Sequence, residues 1–328
     1  MAEGRAVIIV PMYEEMEYIY KFLKPKDGRF LSALNRQQRQ YRYTYIRSAK
    51  RLTIVDFVVL RSPGNLACLS DVILNVHDSE PHLIILAGIA GSLKHDQVKV
   101  GDVVISDRVK SFQPDKIRQR GAREAFSDDP VTSYANSEDG SVVYVDSKKR
   151  YMSDSFFRFR RDAIVWNPSA NLYQDLILES PHINFNLSSF QRAGEHATSL
   201  DSSMTQVHFG AVLGSDWVID SPEFIDFLVE RNTSRAADIY TRKYGAEDHE
   251  RSRWTDDELL CVDTESYGFF RAMRDIQGET TGSQALVVRG ISDLASTKEE
   301  HDKATSGAAR DVAARNSVAA ALAIVDRL

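Results

Sequence analysis

What is scarce in this chain narrows its class before any motif does. Only two of its 328 residues are cysteines, Cys68 and Cys261, and no metal-ligand spacing joins them. A disulfide framework and a cysteine-based metal site are therefore excluded, and thiols set among apolar neighbours are expected to be buried in a reducing compartment. No apolar run approaches the roughly 20 residues of a membrane span. The opening MAEGRAVIIVPMYEE lacks the apolar core and cleavage site of a signal peptide. Positive charge is not in excess either: a net charge of -6 argues against a dedicated nucleic-acid binder. Repeats and heptads are missing. The expectation is a soluble cytoplasmic protein with no nucleic-acid, membrane, metal or cofactor partner.

What is present, at 43% hydrophobic and 27% charged, is enough for a large α/β core. Short apolar runs read as buried strands at Ala6–Val10, Leu83–Leu86, Val103–Ser106, Val207–Leu213, Leu259–Asp263 and Ala285–Val288. Alternating segments at 41–46 and 52–60 read as neighbouring strands. Helical spacing follows Glu14 and recurs at 66–76, 170–178 (capped by Asn167-Pro168-Ser169), after Asp220 or Ser221, at YGFFRAM and from Ala308 onward. This β/α alternation predicts one α/β sandwich over 1–328, with insertions at about 109–206 and 231–257.

Several strands run straight into polar side chains, and in an open α/β sheet ligands bind beyond the carboxyl ends of strands. LVVRGISDLA places Arg289, Ser292 and Asp293 there; the alternative is a solvated aspartate capping the next helix. Glu15 follows the first strand, where it faces a crevice or simply suits a helix dipole. Thr264 and Glu265 follow LLCVD. Leu83–Leu86 leads into Ala87-Gly88-Ile89-Ala90-Gly91-Ser92, a turn that either lets a ligand reach backbone amides or only links strand to helix. Its spacing fits neither a dinucleotide fingerprint nor a P-loop. A cationic run, KKRYMSDSFFRFRR, is a solvated edge or, folded over a crevice, a phosphate-binding surface offering Lys148, Lys149, Arg150, Arg158, Arg160 and Arg161. Glu15, Glu265 and Asp293 would each be structural alone. Past three strands, with Arg289 beside them, they predict one shared cleft.

Six segments, in order, carry a family resemblance: VPMYEEMEYI, LIILAGIAGSL, KVGDVVISD, GAVLGSDWVID, VDTESYGFF and VVRGISDLAS. Together they resemble the nucleoside phosphorylase-I superfamily, and within it the methylthioadenosine/S-adenosylhomocysteine nucleosidase-like and ATP nucleosidase-like members. About a third of the chain, mostly the insertions, has no counterpart. The resemblance implies a three-layer sandwich with a central mixed, partly barrel-like sheet, cleavage of a purine N-ribosidic bond, and a homo-oligomer. It implies that Asp293 protonates the purine at N7 with Ser292 orienting it. Glu265, beside Thr264, would bind the ribose hydroxyls, and Glu15 with Arg289 would activate water. Ile89, Ala90, Gly91, Trp217, Val218 and Ile219 would contact the substrate, Val218 standing where the family has an aromatic. Ile89 replaces a hydroxyl residue, which favours hydrolysis over phosphorolysis. The enlarged architecture and cationic run extend the expectation to an adenine nucleotide such as ATP and a nucleotide-depleting antiviral role. The rivals are a housekeeping purine nucleosidase or phosphorylase and a nucleoside-sensing module without turnover.

Overall fold

The computed structural model describes residues 4–23, 30–35, 40–48, 51–76, 81–119, 141–142, 155–187, 205–216, 218–219, 259–276, 283–295, 305 and 307–327. Two compact units are distinguished, Met1–Val109 with Ala163–Leu328, and Lys110–Asp162. In chain order the elements are β1 (Gly4–Val10), α1 (Tyr13–Phe22), β2 (Phe30–Asn35), β3 (Gln40–Ser48), β4 (Arg51–Val59), α2 (Asn65–Val76), β5 (Leu83–Ser92) and β6 (Val103–Ser106). There follow β7 (Arg108–Gln119), β8 (Ser141–Val142), β9 (Ser155–Val165), α3 (Ala170–Glu179), β10 (Val207–Phe209) and β11 (Ala211–Ser215). The last are β12 (Leu259–Asp263), α4 (Ser266–Ile276), β13 (Gln284–Asp293) and α5 (Ala308–Val325). The smaller unit contains most of β7 and β9, and β8 pairs antiparallel with β9 through Ser141↔Arg158 and Val142↔Phe157.

In the larger unit a mixed sheet runs β2-β3-β4-β1-β5-β12-β11. It forks at β5, which pairs in parallel with β1 and β13 and then, at Gly91 and Ser92, antiparallel with β12. β13 also pairs antiparallel with β6, which carries β10. Among the described residues this sheet does not close on itself, so the barrel-like character expected of it amounts to a fork. Side chains on both faces of β5 are buried, Leu83 to Ala87 at 0% exposure, as a continuous apolar run demands. Each such Leu or Ile contributes ~1.5–3 kcal/mol by leaving water.

Helices cover both faces. α1 turns Met16, Ile19 and Leu23 inward and leaves Glu14, Glu17 and Lys21 in solvent. α5 is buried around most of its circumference, because its alanines let it lie directly on β13: a Cβ at Gly290 would overlap the Ala313 carbonyl. Its polar Asn316 donates to the Gly101 carbonyl at 2.8 Å. On the other face α2 and α4 meet at Gly268, where a Cβ would overlap the backbone of Asn65.

The structure corrects several expectations. Ala87–Ser92 is no turn but the second half of β5; its small residues serve side chains packed over the strand rather than a reversal of the chain. The predicted strand Val207–Leu213 is two, since β10 pairs with β6 and β11 with β12, parting at Gly210. Ser169 makes no side-chain cap on α3; its hydroxyl instead donates to the Ala285 carbonyl (2.8 Å) and accepts from the Ala285 amide (2.7 Å), tying the helix start to β13. The helix expected after Asp220 and the excursion at 231–257 lie outside the described residues.

Candidate active site

Arg289 lies at the centre of β13 with 0% exposure, and an unpaired charge there would cost several kcal/mol. Two carboxylates balance it: its Nε donates to Asp263 Oδ2 at 2.6 Å and its Nη2 to Glu265 Oε2 at 3.1 Å. Burial works against the guanidinium's charge, but Asp263, Glu265 and Glu15 hold it protonated well above the usual range. Asp263, the last residue of β12, also receives the Ser266 hydroxyl and, at 3.0 Å, the Ser266 amide, capping the start of α4. Glu265 Oε1 accepts from the Gly64 amide at 3.1 Å and from the Thr264 hydroxyl. Gly64 has φ +110°, a conformation that favours glycine and brings that amide to bear. Burial raises the pKa of Glu265, against the pull of Arg289.

Glu15, in the first turn of α1, is 2% exposed, and burial pushes its carboxyl up to about 8 despite the charge of Arg289 and a bond from the Ile89 amide. Its Oε2 and the Nη1 of Arg289 are buried and have no hydrogen-bond partner among the described residues. Both face the same spot: a Cβ at Gly88 would overlap Nη1, lie 2.6 Å from Oε2 and 2.8 Å from Pro11 Cδ. The absence of a side chain at Gly88 thus lets a buried acceptor and a buried donor pack against the strand from the same side.

Asp293 closes β13 at 3% exposure. Its Oδ1 accepts from the Ala295 amide at 2.8 Å, an Asx turn that holds Ala295 at φ +56°. Gly91 makes room for this turn, since a Cβ there would stand 2.7 Å from Ala295 Cβ. The Ser292 hydroxyl lies 2.7 Å from Asp293 Oδ2 and 3.4 Å from the Ala90 carbonyl. A single hydroxyl proton serves one of these at a time. When it goes to Ala90, Ser292 is free to accept from a protonated Asp293.

A cavity of about 310 Å³ joins these groups. Glu15, Glu265 and Asp293 line it together with Thr264 and Ser292, and so do Ile89, Ala90, Gly91, Val218 and Ile219. Arg289 lies beneath, reaching it through Asp263 and Glu265. Trp217 lies outside the described residues, as do Lys148, Lys149 and Arg150. Arg158, Arg160 and Arg161 fall on β9 in the smaller unit. Sequence reasoning missed Asp263, Asp216, Gly64 and Asn65. The signal for Asp263 was its spacing from Glu265: alternate residues of an extended segment share a side. A wider cavity of about 550 Å³, near Leu176 and Arg327, contains none of the expected residues. Among the described residues no group of three or more His, Cys, Asp or Glu is placed to hold a metal ion, and no helix is long and apolar enough to cross a membrane. Both cysteines are buried free thiols, as the sequence implied.

With that geometry established, three comparisons bear on the chain. A model of the phosphorylase superfamily matches residues 5–326. Among solved structures the chain is similar to 5′-methylthioadenosine/S-adenosylhomocysteine nucleosidase from Neisseria meningitidis in complex with methylthio-immucillin-A, at 14% identity and a TM-score of 0.50, covering 99% of this chain and 100% of that one. It is similar also to the Streptococcus pneumoniae MTA/SAH nucleosidase with 8-aminoadenine (17%, TM-score 0.50, 99% and 100%). A futalosine hydrolase mutant of Helicobacter pylori strain 26695 gives 13%, TM-score 0.50, 99% and 100%. At these identities the likeness establishes a shared fold. Among curated proteins none matches the chain.

Proposed function

Because the chain belongs to the phosphorylase superfamily, we propose that it hydrolyses the N-ribosidic bond of a purine nucleoside or nucleotide. The observation that carries this reading is the pair of buried, unpartnered atoms, Glu15 Oε2 and Arg289 Nη1, which approach each other over Gly88, with Glu15 on the wall of the cavity. A water held there donates to Glu15 and accepts from Arg289, and is presented to the ribose. As the C1′–N9 bond breaks, its electron pair passes to the purine, and Asp293 delivers a proton to N7 so that the base leaves neutral. The positive charge left on the sugar faces Glu265, which also accepts from the ribose hydroxyls. The water oxygen bonds C1′ and its proton passes to Glu15. Acid–base assistance of this kind contributes typically ~10²–10⁴-fold.

Water is favoured over phosphate by the lining itself. Glu15, Asp216, Asp263, Glu265 and Asp293 border the cavity, and among the described residues no Lys, Arg or His side chain does. A phosphate co-substrate needs the opposite charge. The solved relatives named for methylthioadenosine, S-adenosylhomocysteine and futalosine support a nucleoside with an altered 5′ end. The finer reading is an adenine nucleotide such as ATP, yielding adenine and ribose 5′-triphosphate in a nucleotide-depleting defence role. Its support is the cationic run from Lys148 to Arg161. We further propose a cytoplasmic homo-oligomer, on the strength of the resemblance and the two buried thiols.

The test is release of free base from ATP, AMP, adenosine and methylthioadenosine, with and without phosphate. Equal release in both conditions is expected, and Asp293→Asn should reduce it at least 100-fold with the fold intact. Strict phosphate dependence, or full activity in Asp293→Asn, would refute the mechanism; cleavage of adenosine with ATP untouched would remove the nucleotide reading.

A further inference from the structure

We infer that Asn65 is a positioning residue for the base-side wall of the cavity, an inference that rests on the purine-ribosidase reading. Asn65 opens α2 and is 5% exposed, so both ends of its amide must find partners inside the protein. Its Oδ1 accepts from the Gly268 amide at 2.9 Å, one of the first amides of α4, which have no partner within their own helix. Its Nδ2 donates to Asp216 Oδ1, also at 2.9 Å. Asp216 borders the cavity at the end of β11, and the segment it begins contributes Val218 and Ile219 to the wall. Val218 is 65% exposed, and the bond from Asn65 to Asp216 is a described tie between this wall and the helices. The preceding amide, Gly64 N–H, bonds Glu265. The start of α2 therefore grips both sides of the cavity, the ribose carboxylate through residue 64 and the opposite wall through residue 65.

An asparagine is needed because the site requires one donor and one acceptor from a single short side chain. Aspartate keeps the acceptor for Gly268 but turns a second carboxylate toward Asp216. Substrate binding, not the chemical step, should suffer. In Asn65→Asp we expect KM for the cleaved riboside to rise about tenfold, the loss of one charge-assisted hydrogen bond, with kcat within twofold. Amide exchange across 215–219 should quicken while that of β5 stays unchanged. The same substitution made in an Asp216→Asn background, where an amide at 216 supplies the donor, should change KM by no more than twofold relative to Asp216→Asn alone.

An equal KM penalty in both backgrounds would overturn the inference, as would unchanged KM with only a lowered Tm. Should Asn65→Asp fail to fold by itself, the comparison of Asp216→Asn with the double variant decides. If the wild-type protein releases no base at all, the ribosidase reading fails, and exchange across 215–219 alone decides whether residue 65 holds the wall: quickening supports the tie and no change refutes it.

Discussion

Replacing Glu15 with glutamine should make the protein more stable at neutral pH than at acid pH, relative to wild type. The carboxyl is fully buried and its pKa stands near 8 in the folded protein, against 4.5 as the ordinary value. Below 4.5 folded and unfolded chains both hold the proton, so pH has no effect through this group. Between 4.5 and about 8 the unfolded chain releases it and the folded chain retains it, so wild-type stability falls as pH rises. Above about 8 both are ionised and the slope ends. At ~1.4 kcal/mol per pH unit the accumulated penalty is several kcal/mol, a sizeable share of the ~5–15 kcal/mol that holds a typical protein together. Glutamine keeps the shape and cannot ionise. Urea unfolding of both proteins at pH 5, 6, 7 and 8 should show the stability difference, variant minus wild type, growing steadily with pH. Comparing at each pH removes only the part of the Glu265 contribution that is independent of Glu15, because the two carboxyls raise each other; both shifts have the same sign. A difference that stays flat, or shrinks as pH rises, would refute the account of Glu15. The same ionisation should appear in catalysis: if Glu15 must be charged to accept a proton, kcat/KM rises with pH up to about 8.

Arg289→Met should cost about 3–5 kcal/mol, read as a drop in Tm, because it strands Asp263 and Glu265 as buried, unbalanced charges. Adding Glu265→Gln to that variant should recover part of the loss, and a further drop would contradict the pairing. Gly88→Ala should lower kcat at least tenfold and destabilise by about 1–3 kcal/mol, since its methyl group would overlap Arg289 Nη1 and Glu15 Oε2 and drive them from their places. A fully active Gly88→Ala would show that the close approach of Glu15 and Arg289 over the strand is not needed.

The convergence of Glu15, Glu265 and Asp293 on one cavity was legible in that each comes after an apolar run read as a buried strand, and ligands gather beyond strand ends; that β12 runs antiparallel to β5 was not. The role of Arg289 as the buried centre of the cluster was not, although an arginine flanked by Val288 and Gly290 inside a buried strand demands counter-charges nearby. Finding them required knowing that β12 and β13 both border β5, a fact of pairing rather than of local pattern. The same limit explains Ala87–Ser92. Glycine and alanine read locally as a bend, yet here their smallness admits the side chains of Arg289 and Asp293 over a continuous strand. Asn65 gave no local sign at all, because its partners lie 151 and 203 residues away.

The fork at β5 also constrains how the molecule can be made. That strand emerges early in synthesis, but one of its long edges waits for β13, which begins at Gln284, and β13 in turn supplies both Arg289 and Asp293. A nascent chain that has not reached Gln284 holds a middle ribbon that is still half bare and a cluster that lacks Arg289 and Asp293. Chains that stop before Gln284 should therefore yield no partially competent fragment, because the apolar edge of β5 and the cluster both await the same strand.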